Sequence, residues 1–163
     1  MRRAVEKVAP RFPSICVRLG RGFFWYYLEE SKNLPKVKAE GCQPLLPMRK
    51  KEMRRCALRI LYYENRIAVE FFHALTDGSG GLVFLKSLAA AYLEEVYGEE
   101  IEKKDGVLSL KERPKKEELE DAFLRYADGT PAKRETESAF CLKGEPEPDG
   151  FLHVTTATVP LAE

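Results

Sequence analysis

Histidine is nearly missing from this chain, with two in 163 residues, and its four cysteines never fall at a Cys-x-x-Cys spacing. Those shortages argue against a zinc site, which needs paired ligands at short intervals. Cys16, Cys42, Cys56 and Cys141 read instead as reduced thiols that mostly pack, as in a cytoplasmic protein. Charge of one sign is lacking too: 27 basic against 26 acidic residues leave a formal net charge of +1. So neutral a chain offers no broad field for nucleic acid, and Arg49-Lys50-Lys51 and Lys115-Lys116 read as solvated loop charge. No apolar run is long enough to span a membrane, and no apolar stretch follows the basic N-terminal residues as a signal peptide requires. A cytoplasmic location without membrane or nucleic-acid partners is therefore expected. Internal repeats and low-complexity tracts are absent.

What is present is a globular composition, 44% hydrophobic and 33% charged, sufficient for one domain over residues 1–163 with a single core. Residues 2–9 read as a helix, and 15–19 and 22–28 as a hairpin turning at Gly20-Arg21-Gly22. Pro35, Pro44 and Pro47 break the stretch that follows, so 29–55 reads as an exposed loop. Residues 57–63 and 66–72 form a second hairpin around Glu64-Asn65, rich in β-branched and aromatic residues and apolar on nearly both faces, hence buried. Leu82, Leu85, Ala89 and Leu93, with Leu88, Tyr92 and Val96 beside them, recur at helical spacing over 79–97 until Gly98 supplies a stop. A charged segment through Pro114 leads to a short amphipathic element at 117–126, and 138–142 and 151–159 read as a last strand pair joined through 144–150. The expected class is α/β in the loose sense, or α+β: a mixed sheet of hairpins flanked by helices.

Chemistry concentrates at one place, Phe71-Phe72-His73-Ala74-Leu75-Thr76-Asp77-Gly78-Ser79-Gly80-Gly81, where a buried strand runs into a histidine, then an aspartate, then glycines. The loop 73–81 joins strand to helix, a position where α/β proteins expose functional groups. Its glycines lack the lysine and spacing of a phosphate-binding loop. Taken singly, a histidine is most often a satisfied structural residue; the strand, turn and helix around His73 make this one a candidate base. His153, alternating with apolar neighbours, reads as an ordinary strand residue.

The stretch from Ile67 to Leu93 resembles the acyltransferase superfamily of chloramphenicol acetyltransferase, alcohol acetyltransferases and condensation domains, whose signature is His-His-x-x-x-Asp-Gly. His73, Asp77 and Gly78 match it, while Phe72 stands at the first histidine. The order of Arg11-Phe12-Pro13, Gly22-Phe23-Phe24-Trp25-Tyr26-Tyr27-Leu28 and the motif is most similar to the alcohol acetyltransferase branch, and the likeness covers most of residues 1–98. It implies a chloramphenicol acetyltransferase-like domain equivalent to the N-terminal half of that fold. The Asp-Phe-Gly-Trp-Gly-type segment of the second half is absent, so a second copy or a separately encoded half is expected to complete the site.

The resemblance further implies a coenzyme A-dependent acyltransferase that uses acetyl-coenzyme A or another acyl thioester as co-substrate and a small alcohol or amine as acceptor. His73 is then the general base, work suited to an imidazole because its ordinary pKa near about 6.5 leaves it mostly neutral at neutral pH. The family's aspartate pairs with an arginine and holds the loop, a role that falls to Asp77 with Arg18 as first choice of partner and Arg59 as second. Gly78, Gly80 and Gly81 either admit a pantetheine arm or simply turn the chain. Trp25 either stacks a ligand or, more in keeping with hairpin aromatics, enters the core. Two other classes of function stay open: a catalytically inactive fragment that self-associates through its hairpins, and a module that binds an acyl thioester without turning it over.

Overall fold

The chain opens in α1 (Arg2–Val8), whose Ala4, Val5 and Val8 fall on one side and are buried. A 3-10 turn over Ala9–Arg11 carries Pro10 where its missing N–H is harmless. In this computed structural model the described residues are 1–41, 46–120, 125–127 and 144. Contacts divide the chain into two units, Met1–Tyr126 and Ala127–Glu163, and the hydrophobic core of the described residues belongs to the first. The expected strand pair at 138–142 and 151–159, together with Cys42, Cys141 and His153, lies outside the described residues.

The fold is mixed α and β. β1 (Val17–Arg21) and β2 (Tyr26–Glu30) form a two-stranded antiparallel ribbon, and β3 (Lys36–Ala39), β4 (Leu58–Tyr63) and β5 (Arg66–Phe71) form a second sheet in that order. The first hairpin turns later than expected. Arg21 pairs with Tyr26, and the Gly22 N–H donates to the Trp25 carbonyl at 2.8 Å, closing the turn over Gly22-Phe23-Phe24-Trp25. Gly20 and Gly22 do not turn the chain; they make room for rings. A Cβ at Gly20 would collide with the Tyr27 ring across the strand, and one at Gly22 would fall 2.8 Å from the Trp25 indole.

The loop expected over 29–55 is also corrected. β3 pairs parallel to β4, Lys36 opposite Arg59, and the short helix α2 (Lys50–Met53) lies in the crossover between them. Parallel neighbours need a connection of a dozen or so residues, which this stretch supplies. Lys36-Val37-Lys38-Ala39 is too short and too charged to announce itself as a strand, and it forms because β4 offers an open edge. The second hairpin pairs as expected, Tyr63 with Arg66 around Glu64-Asn65, and Glu64 takes φ 47° in the left-handed region. It is less buried than expected, because of its strand residues only Leu58, Ile60 and Leu61 are buried, Tyr62 and Tyr63 are exposed, and β5 packs one face on the core and no more.

α3 (Gly78–Tyr97) ends at Gly98, which adopts φ 73° as a left-handed cap. Its buried side is Gly81, Phe84, Ser87, Leu88 and Ala91, one position away from the expected stripe, and Leu82 and Leu93 are exposed. The helix is apolar on most sides, so periodicity leaves its phase open. Packing settles it: Gly81 and Ala91 are small enough for close approach, and Phe84 meets Phe12 edge-on at 5.2 Å between centroids. Leu58 and Ile60 of β4, with α1, close the core against this side. Arg11 is buried beside it, its guanidinium paired with Glu118 of the 3-10 turn Lys116–Glu118 and stacked over Phe12 at 6.0 Å. That turn stands where an amphipathic element was expected, and residues 121–124 of that element lie outside the described residues.

Candidate active site

The β4–β5 register decides what surrounds His73. Leu58 opposes Phe71 and Ile60 opposes Val69, and these face the core; Arg59 opposes Glu70 on the other face of the sheet. Leu46, Met48 and Met53, from the crossover and α2, line the end of β5. A cleft of about 530 Å³ lies there, bounded by those three side chains, by Val69, Phe71 and Phe72, and by Arg59, Glu70 and His73. Its wall is mostly apolar, with one ion pair and one imidazole.

Arg59 is the organising charge of the cleft. It pairs with Glu70 across the strands, donates to the Leu46 carbonyl, and lies 3.9 Å from Glu52. Glu52 in turn accepts from the Arg49 N–H at 3.2 Å, which caps α2, and pairs with Lys38 of β3. The Lys38 hydrogen bond and then the Arg49 amide hold the Glu52 carboxyl below the usual carboxylate range. Arg59 thus ties β3, α2 and β5 together and is not a partner of Asp77. Glu70 escaped the sequence reading, although the two-residue turn at Glu64-Asn65 places it directly opposite Arg59.

His73 stands two residues past β5 in a turn closed by the Leu75 N–H donating to the Phe72 carbonyl at 2.9 Å. It is exposed at the mouth of the cleft, and among the described residues no hydrogen bond fixes its ring. The chain path is anchored behind it by the Phe72 N–H, which donates to the Ala57 carbonyl at 3.0 Å. It is anchored ahead by Gly81, where a Cβ would fall 2.5 Å from the Phe71 ring. Strand end and helix start are therefore in contact. That contact sets the loop between them.

Asp77 does not hold the loop through an arginine. It is exposed and caps α3, its Oδ1 accepting from the Gly80 N–H at 2.8 Å. Arg18 pairs instead with Glu29, its cross-strand neighbour in the first hairpin, at 2.7 Å. Both expected partners of Asp77 are thus engaged elsewhere, and among the described residues Asp77 makes no ion pair. An aspartate at a helix start is a favoured N-cap, but Gly78-Ser79-Gly80-Gly81 separates Asp77 from the apolar repeat that begins at Leu82, and these glycines hid the signal. Gly78 has open space where a Cβ would be, whereas Gly80 lies under the Thr76 hydroxyl. The tight glycines, 80 and 81, are accounted for by contacts within the chain. Trp25, expected in the core, is exposed.

The described residues contain no cluster of three or more His, Cys, Asp or Glu side chains placed to hold a metal ion. Among the helices of the described residues, none is long and apolar enough to cross a membrane. Comparison with protein-family models, with curated proteins and with solved structures finds no match to this chain.

Proposed function

We propose that this chain is an acyltransferase in which His73 is the general base for attack of an acceptor hydroxyl or amine on an acyl thioester such as acetyl-coenzyme A. The observation that supports it best is the position of His73 at the open mouth of a largely apolar cleft. One side of such a cleft can hold the acyl group or the apolar body of an acceptor while the imidazole reaches its polar end. In the reaction His73 takes the acceptor proton as the acceptor oxygen bonds to the thioester carbon. The tetrahedral adduct then expels the coenzyme A thiolate, which recovers that proton from the imidazolium. Ester and free thiol are the products, and positioned base catalysis of this kind contributes typically about 10²- to 10⁴-fold. No metal is needed for that balance.

The exposure of His73 makes a second surface part of this reading, because a thioester must be shielded from water while it reacts. A second copy or a separately encoded half supplies it. Free, buried Cys16 and Cys56 support a reducing cytoplasm as its location. Among the described residues no hydrogen bond fixes the His73 ring, and this favours one other reading, an inactive or acyl-thioester-binding domain, since a base needs a fixed tautomer and direction. The deciding experiment is thiol release from acetyl-coenzyme A with a panel of small alcohols and amines, for the chain and His73→Ala at equal folded concentration. Acceptor-dependent release that falls at least about 100-fold in the variant supports the base. Saturable binding of the thioester without release, equal in both proteins, supports the binding module.

A further inference from the structure

We infer that Glu52 is the positioning residue of the cleft beside His73. Its carboxylate holds the wall of Leu46, Met48 and Met53 in place, and so sets how firmly the cleft grips an apolar chain. That this chain belongs to a thioester or to an acceptor alcohol rests on the acyl-transfer reading; the wall itself does not.

The wall has little of its own to keep its shape. α2 is a single turn of four residues with no buried side chain, and isolated helices that short are unstable in water. Like charges four residues apart, such as Lys50 and Arg54, weaken it further. Among the described residues three polar ties join the segment 46–53 to the sheet: Glu52 pairs with Lys38 of β3, Glu52 lies 3.9 Å from Arg59 of β4, and Arg59 donates to the Leu46 carbonyl. The same carboxylate accepts from the Arg49 N–H at 3.2 Å, closing the turn. Lys38, Glu52, Arg59 and Glu70 thus alternate in sign, and Glu52 is the one of these four that belongs to the wall. All four side chains are about a third exposed or less, so solvent screens them less than a surface pair. The two charges that line the cleft, Arg59 and Glu70, are paired with each other, and the remaining lining apart from His73 is apolar. A hydrocarbon chain suits such a lining, and unbranched methionines mould to it. Counting roughly the 30 Å³ of a liquid water for each carbon, an octyl chain takes up about half of the 530 Å³ and an acetyl group little of it.

The test compares butyl and octyl chains, offered as S-acyl coenzyme A and as primary alcohols, by calorimetry on the full chain, Glu52→Gln and Arg18→Ala. Glutamine keeps an acceptor for the Arg49 N–H and loses the charge, while Arg18→Ala removes a surface ion pair elsewhere. A fully buried methylene is worth about fourfold in affinity. The octyl chain is therefore expected to bind at least about 10-fold more tightly than the butyl chain in the unaltered protein and in Arg18→Ala, and at most about 3-fold more tightly in Glu52→Gln. Loss of folded protein weakens both chains alike and leaves that ratio unchanged; circular dichroism and the urea midpoint check folding. Amide hydrogen exchange over 46–53 is expected to rise about 10-fold or more in Glu52→Gln, with α3 unchanged. An octyl preference for the alcohols without thiol release from any thioester would remove the acyl-transfer reading and leave the role of Glu52 standing. No octyl preference in the unaltered chain with either carrier, the same preference in Glu52→Gln, or exchange that rises evenly along the chain would each overturn the inference.

Discussion

Replacing Asp77 separates two accounts of the loop that carries His73. If Asp77 only caps α3, Asp77→Ala removes the acceptor for the Gly80 N–H and the negative charge at the helix start. Loss of a cap costs about 0.5–2 kcal/mol, and the charge contributes about 0.3–1 kcal/mol within that range of effects. The expected loss is about 1–2 kcal/mol for alanine. Asp77→Asn keeps an acceptor oxygen and forfeits only the charge, so about 0.3–1 kcal/mol is expected there, shrinking as salt is added. If instead the aspartate were half of a buried ion pair, removing one partner would cost about 3–5 kcal/mol. Arg18 provides the control: its pair with Glu29 is on the surface, so Arg18→Ala should cost at most about 1 kcal/mol. Urea unfolding of the two single variants and the double variant, analysed as a cycle, should give additivity within about 0.5 kcal/mol. A loss above about 3 kcal/mol for Asp77→Ala, an asparagine as harmful as alanine, or coupling to Arg18 above about 1 kcal/mol would each refute the cap as the explanation.

Glu118→Gln leaves the buried Arg11 guanidinium without its counter-charge and is expected to cost about 1–3 kcal/mol, below the range for a fully buried pair because Glu118 is partly exposed. The double variant Arg11→Met, Glu118→Gln should be less damaged than Glu118→Gln alone, as urea titration will show. The Arg11 hydrogen bond holds the Glu118 carboxyl below its ordinary value. Its stabilisation is therefore complete above the unfolded value of about 4.3 and lost as pH falls through the lower folded one. Stability curves below about pH 5 should be shallower in Glu118→Gln than in the unaltered chain, and parallel curves would count against the pair. Burial pushes the Cys16 thiol up to about 12 and raises Cys56 as well. Peptide mapping after iodoacetamide should find both unlabelled in the folded chain at neutral pH and labelled in urea; labelling of either before unfolding would contradict the packing of β1 and β4.

How far the sequence disclosed this fold depends on whether a residue's neighbours along the chain are also its neighbours in space. The β4–β5 hairpin was legible because Glu64-Asn65 fixes both the turn and the register. The bounds of α3 were legible because Gly98 stops it and the apolar repeat from Leu82 follows the glycine-rich stretch after Asp77. β3 was not, since four residues with two lysines become a strand only when β4 presents an edge 23 positions later, Lys36 opposite Arg59. The phase of α3 was hidden for the opposite reason: nearly every side is apolar, and only the Gly81–Phe71 and Phe84–Phe12 contacts choose one. At the site, the motif placed His73 in a loop between a strand and a helix, which is where it lies, between β5 and α3. The Arg59–Glu70 pair was missed because hydrophobicity drew attention to the strands, not to the charged positions that alternate within them.

Aromatic content proved a poor guide to the core in one stretch, and the reason has a physical form. Gly20 and Gly22 let Tyr27 and Trp25 lie flat on the ribbon's own backbone, so those rings gain contacts without entering the interior. The core of α1, α3, β4 and the start of β1 closes without them, through Phe12, Ile15, Leu58, Ile60, Phe84 and Leu88. Residues 23–28 therefore add nothing to that core that serine or threonine would take away. A two-stranded ribbon is marginal by itself in water, and among the described residues this one is hydrogen-bonded to the rest at its base, where the Ala57 N–H donates to the Val17 carbonyl and the Ser31 hydroxyl to the Arg55 carbonyl. Six consecutive large apolar side chains beyond that base lower solubility unless something covers them.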